Sequence, residues 1–490
     1  MSEYAGAALS TNWSRTLGWF IALELACVAS FVVLLMMGQT GLAAAALVGP
    51  FQLLVWFALL RSGQAVLVAF MALLPLAGVG ILPHSYNRFV YLPSTVVLLG
   101  VLALTSYLST HQPQRARLRV SEWLPSLVLG TWTVVSGAHA VLQGWGCRFL
   151  LVMTLVTLEV LMLVYFFATV PRTLRDVRVL LYTAVVATAF VALCIPLFPS
   201  KSGVAGGGKM VVTPFVEVNM NTIGYVLGTI GALTLGMAVS SSSPRTRLGL
   251  SAAVFVCLLI LVLTKSRGAW LGFGVAFVYV LLKNRSLGLL LLAAVIGLAI
   301  VMSDVLRAML VSRVRATTAY DPSLLGRFLL WNYAWYIGKA NWLFGVGMEN
   351  FRYVKHFYRF PSPLSAAIQF NAHNLYFEMF VDLGIIGLLS FVWLLVSSFL
   401  RAFRSTIISP NARDLGTGLS AGLVAYATHG LFDCVLFQQG AFVLFGVLAG
   451  LSMSLRRLSA PGTGIGRSEV GDSLFCGDAV KYCPHGRGLI

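Results

Sequence analysis

Apolar runs of about 17–25 residues recur along nearly the whole 490-residue chain, which is the length a helix needs to cross the hydrocarbon core of a bilayer. Inside that core no water is present to satisfy an open backbone, so the runs must be helical. Composition points the same way, with 58% hydrophobic and 10% charged residues, and excludes an ordinary soluble globule. The expected fold is an all-α polytopic integral membrane protein, a bundle of about 12–14 transmembrane helices with a large helical loop on its outer side. Spans are expected near 17–37, 42–60, 64–82, 89–109, 122–142, 149–170, 179–198, 220–240, 248–264, 268–282, 286–303, 374–400, 414–434 and 437–455. The first run, Leu17 to Met37, is too long for a cleavable signal and has no small-residue cleavage site, so it is read as a membrane helix.

The basic residues test this topology. With the N-terminus inside, the inner connections carry Arg61; Arg115, Arg117 and Arg119; Arg172, Arg175 and Arg178; Arg245 and Arg247; Lys283 and Arg285; Arg401, Arg404 and Arg413; and Arg456 and Arg457. Nearly every second connection is basic, as the positive-inside rule requires. The formal net charge of +18 is therefore explained by anionic lipid and phosphorylated substrates, without nucleic acid. Two outer segments are longer: the glycine-rich stretch Pro199–Val218, and Ser303–Ala372, within which Leu324–Ala340 is expected to form an amphipathic helix on or near the membrane surface. Residues 1–458 are read as one transmembrane domain with 303–372 inserted, and 459–490 as a disordered tail on the inner side. The seven cysteines form no C-x-x-C pair and show no metal-ligand spacing; Cys476, Cys483 and His485 are read as part of the tail rather than as a metal site.

The stretch Phe370-Asn-Ala-His373-Asn374-Leu-Tyr-Phe leads out of the long polar loop into an apolar run carrying Gly384 and Gly387. An isolated histidine at a helix start is usually a capping or packing residue. Here His373, Phe377, Phe380, Gly384 and Gly387 are spaced to share one helical face, and the glycines are expected to admit a neighbouring helix that sets the height of His373. Lys265-Ser-Arg267-Gly268 is a tight outer turn, whose cations either snorkel or meet an anion. Asn219 or Asn221 is placed to cap the helix that follows. Charged groups inside spans cost about 2.5–3.5 kcal/mol each at a helix centre. Glu378, Asp382, His429 and Asp433 therefore need partners; they are read mainly as interhelical polar contacts, with Asp433 near the outer end able to orient His373 or bind sugar.

His373-Asn374 with its glycines, Lys265-Ser-Arg267, Gly326-Arg327 with Trp331, Phe344-Gly-Val-Gly347 and the His429 to Asp433 segment together resemble the O-antigen ligase and O-antigen polymerase superfamily, over roughly Pro199–Gly450. These bacterial membrane enzymes move a lipid-linked glycan onto an acceptor. The resemblance implies an inner-membrane glycosyltransferase with a periplasmic active site, a periplasmic outer loop, and neither metal nor other cofactor. It implies an undecaprenyl-pyrophosphate-linked glycan donor, a lipid A-core or glycan acceptor, and contact with membrane lipid. By the same resemblance His373 is the catalytic base that activates the acceptor hydroxyl, and Arg267 is a catalytic cation on the pyrophosphate. Lys209, Lys265, Arg327, Asn374, Asn219 and Asp433 are then substrate-binding residues, with Lys209 standing where the superfamily typically carries arginine. Inversion is expected, because no second carboxylate suited to a covalent intermediate accompanies His373. The reading is an O-antigen ligase. A polymerase of lipid-linked repeat units shares the motifs, a relative that glycosylates protein carries a further C-terminal segment not seen here, and a polytopic glycan transporter or flippase is the alternative of another class.

Overall fold

The computed structural model describes residues 67–68, 71, 119–145, 148–195, 200–201, 209–213, 216–285, 322–358, 371–434 and 439–460. The spans expected near 17–37, 42–60, 89–109 and 286–303, and the tail beyond residue 460, lie outside these residues. The span near 64–82 is represented by Leu67, Val68 and Met71, which pack into the main core. The described helices are α1 (Val120–Leu142), α2 (Arg148–Thr169), α3 (Leu174–Cys194), α4 (Met220–Ser240), α5 (Pro244–Leu263), α6 (Arg267–Asn284), α7 (Pro322–Ala340), the short α8 (Phe351–Val354), α9 (Leu375–Ile408), α10 (Arg413–His429) and α11 (Gln439–Leu458). Among them α1, α3, α4, α5 and α9 are each long and apolar enough to cross a membrane. The protein is an all-α multi-pass membrane protein. One small departure is a three-stranded antiparallel sheet of β1 (Ser200–Lys201), β2 (Lys209–Thr213) and β3 (Val216–Asn219), in strand order β1-β2-β3.

At the centre is α4, buried at every position from Thr222 to Ala238. A helix apolar on all sides is a core helix. Because lipid is as apolar as a side chain, helices in a membrane gain by packing closely rather than by leaving water. The backbones of α4 and α10 are correspondingly close: a Cβ at Gly236 would lie 2.6 Å from the Thr417 carbonyl oxygen, and one at Gly418 would lie 2.8 Å from that of Leu233. By contrast α5 is peripheral and exposes Leu248, Phe255, Leu259 and Leu263.

Connections alternate between two ends of the bundle. At one end are the basic turns, cross-linked by Arg178 to Asp414 (3.1 Å), Arg401 to the Glu122 carbonyl (2.9 Å) and Arg457 to the Pro171 carbonyl (2.5 Å). The opposite end holds β1–β3, the turn between α5 and α6, the start of α9 and the turn after α10.

The long run from Leu375 to Ile408 is not one regular helix. Gly384 breaks it with φ 66° and ψ −170°, a backbone region essentially reserved for glycine. The break frees carbonyls that must find other donors. Val346 N–H donates to the Val381 carbonyl (3.0 Å), and Gly347 N–H and the Ser136 hydroxyl donate to that of Asp382 (2.8 and 3.0 Å). The Trp132 indole donates to the Leu383 carbonyl (2.7 Å), and Ile385 N–H donates to that of Trp342 (2.7 Å). The segment 341–350 thus inserts between α1 and α9 beside Trp132, ten residues and about 15 Å of helix before the end of α1. Irregular backbone is tolerated at such depth because it is buried in protein.

This corrects the expectation that His373, Gly384 and Gly387 share a helical face against a neighbouring helix. The helix begins after His373 and is interrupted at Gly384. Gly384 meets the backbone of Trp342 and Leu343, and Gly387 meets Leu383 of its own helix. A Cβ at Gly384 would lie 2.1 Å from the Leu343 carbonyl oxygen. Gly384→Ala is expected to cost at least about 1–3 kcal/mol, read as a lower thermal unfolding midpoint in detergent. An unchanged midpoint would show that this crossing is dispensable.

Candidate functional site

The start of α9 is tied to the turn after α10. Asn374 is the helix N-cap: its side-chain oxygen accepts from Tyr376 N–H (2.9 Å) and Phe377 N–H (3.1 Å), satisfying amides that a helix leaves open at its first turn. The same side chain donates to the Leu431 carbonyl (2.9 Å), and Leu375 N–H donates to that of Gly430 (2.7 Å). The adjacent Tyr376 hydroxyl donates to the Ala427 carbonyl (2.9 Å), one turn back along α10. Directly before these bonded residues, His373 adopts a left-handed conformation with φ 47°.

The side chain of His373 then meets Asp433, with Nδ1 2.9 Å from Oδ1. Asp433 lies in the turn beyond α10, and its carboxylate also accepts from Cys434 N–H (3.0 Å). Its side chain is 9% exposed, against 27% for that of His373. Burial alone raises a carboxyl, but here the hydrogen bond and charge of His373, with the charges of His429 and Arg327, outweigh it and hold Asp433 at about 2. Arg327, in the second turn of α7, is thus within electrostatic reach of Asp433. The expected interhelical contact of Asp433 is resolved as a contact to His373.

His429 is buried against α4 and α6. Its ring lies 4.6 Å from that of Tyr225, and a Cβ at Gly268 would lie 3.1 Å from its Nε2 and 3.3 Å from Phe432 Cβ. Gly268 follows Arg267, the first residue of α6, so the Lys265-Ser266-Arg267 turn sits against the same turn that carries Asp433. Lys265 is exposed and has φ 55°, while Ser266 is buried. A Cβ at Gly224 would lie 2.9 Å from Ser266 Cβ, which brings the start of α4 to this end as well. Directly before α4, Lys209 and Asn219 are opposite each other in the β2–β3 register. Lys209 and Asn219 therefore belong to one strand pair. His373, Asn374 and Asp433 meet at the turn after α10, the start of α6 packs against that turn through Gly268, and the charge of Arg327 acts on Asp433 there.

Glu378 and Asp382 differ from expectation, because both bind backbone amides rather than side chains of another helix. Glu378 accepts from Ala372 N–H, and Asp382 accepts from Glu349 N–H (2.7 Å) and Phe351 N–H (3.1 Å). Lys355, in sequence one of the scattered charges of the 303–372 segment, is 3% exposed beneath them with its ammonium 4.1 Å from the Phe351 ring centre. Burial pushes its ammonium below the ordinary lysine range, against the pull of Glu378 and Asp382. The available signal was two acids one turn apart in an apolar run, which demand a cation; the loop that supplies it is far away in sequence. Gly345 and Gly347 have φ 71° and 95° and build the inserted turn, where a Cβ at Gly345 would lie 2.2 Å from the Asp382 carbonyl oxygen.

The pairing of Asp433 predicts a pH signature. Its folded value of about 2 lies below the unfolded value of about 3.9, so its contribution is complete above the latter and lost as pH falls through the former. The stability gap between wild type and Asp433→Asn is expected to be about 2–3 kcal/mol near pH 6 and to narrow between about pH 4 and 2. Thermal unfolding across that range checks it, and a pH-independent gap would contradict the pairing.

Comparison with curated proteins gives no match to the chain. A family model described as O-antigen ligase matches residues 252–392, which contain Lys265, Arg267, Arg327, His373 and Asn374 and end before Asp433. That range is narrower than the Pro199–Gly450 over which the motifs resemble the superfamily. Over residues 252–392 the chain is thus similar to the O-antigen ligase family, and the match takes in α6, α7 and the first half of α9.

Proposed function

We propose that the protein is an O-antigen ligase, transferring a glycan from undecaprenyl pyrophosphate to a hydroxyl of lipid A-core without a metal. The observation that carries the reading is the 2.9 Å contact of His373 Nδ1 with Asp433, in a turn that packs against the start of α6 and feels the charge of Arg327. With Nδ1–H donated to Asp433, Nε2 is the basic nitrogen of the imidazole. In the reaction, Nε2 takes the proton of the acceptor hydroxyl as its oxygen attacks the anomeric carbon. The bond from that carbon to the pyrophosphate oxygen breaks, and the pyrophosphate leaves with the electron pair. Asp433 stabilises the imidazolium formed, while Arg267 and Arg327 balance the growing charge on the leaving group. Lys265 and the Lys209–Asn219 strand pair hold the donor, and Asn374 holds the His373 segment in place. One displacement inverts the anomeric centre. The basic end of the bundle faces the cytoplasm under the positive-inside rule, so the His373 end faces the periplasm of the bacterial inner membrane.

Purified protein reconstituted with lipid-linked glycan, with and without lipid A-core, tests this. Product is expected only with the acceptor, and His373→Ala is expected to lower its rate at least about 100-fold. A ladder of longer lipid-linked chains formed without acceptor would identify a polymerase instead, and retained anomeric configuration would exclude the single displacement.

A further inference from the structure

We infer that Glu378 is a positioning residue for transfer, acting on His373 through the backbone of Ala372. The inference rests on the reading of His373 as the base. Glu378 is 1% exposed, and its carboxylate turns back past the N-cap to accept the Ala372 N–H. Ala372 is fully buried, so no water is present to replace that acceptor. On the other side of His373, the Leu375 N–H is fixed on the Gly430 carbonyl. His373 is thus clamped between two anchored peptides, in a left-handed conformation that a non-glycine residue adopts only when its surroundings enforce it. The clamp aims the imidazole at Asp433. An acid in the first turn also complements the helix dipole, but that role does not call for the carboxylate to reach Ala372.

Glu378→Gln keeps an acceptor oxygen at the same reach and removes the charge; Glu378→Ala removes both. Transfer kinetics and hydrogen exchange of the peptide spanning residues 371–375 are measured on both variants and on His373→Ala. Glu378→Ala is expected to lower kcat at least about tenfold with the donor KM within about threefold, and to speed exchange at the clamp. Glu378→Gln is expected to restore both. Should the alanine variant not fold, Glu378→Asp takes its place with the same expected loss, since it withdraws the acceptor by one methylene. Wild-type kcat in Glu378→Ala, or a Gln variant as impaired as the Ala variant, overturns the inference. If His373→Ala is itself fully active, the base reading falls and this inference with it; if only Glu378→Ala is active, this inference alone falls.

Discussion

The crossing of the 341–347 backbone over the break at Gly384 is the constraint on which the His373 end of the molecule depends. A membrane helix cannot simply stop hydrogen bonding at depth. The freed carbonyls of Val381, Asp382 and Leu383 are met by donors from the inserted loop and from α1, and the reciprocal bond from Ile385 N–H closes the junction. Glycine is required on both sides of the crossing, at Gly345 and Gly384, because each backbone occupies the place of the other's Cβ.

Once the loop is seated, the buried charges follow. Asp382 accepts two amides at the start of α8, which brings Lys355 beneath Glu378 and Asp382. A buried ammonium near two carboxylates is tolerated where isolated charges are not. Glu378 is left to hold Ala372, and the Asn374 cap and the Gly430 and Leu431 carbonyls fix the far side of His373. Loop insertion, charge burial and imidazole placement form one chain of dependence, running from the interior outward to the turn that carries Asp433.

Much of the frame was legible in the sequence because helix length against bilayer thickness is a strong constraint. The expected span 220–240 coincides with α4, and 122–142 and 149–170 differ from α1 and α2 by one or two residues. The alternation of basic turns is visible as one end of the bundle. His373 and Asn374 stood out as an imidazole and an amide at the mouth of an apolar run, and Asp433 as a charge near the end of another. Intervals of three and four residues carry no information about φ, and Gly384 serves a break rather than a packed face. The partners of Glu378 and Asp382 were not legible either. They are amides, which every residue carries, and for Asp382 they come from a loop some thirty residues away. The Lys209–Asn219 pairing depends on strands too short to show an alternating pattern.

In the proposed reaction His373 and Asp433 act as one unit. A double-mutant cycle on turnover tests it most directly, using His373→Ala, Asp433→Ala and the double variant, each shown to be folded, in a radiolabelled assay sensitive enough to follow residual rates. Strong non-additivity is expected, with the double variant no slower than His373→Ala alone. Independent, multiplying losses would contradict it and assign the two residues separate tasks.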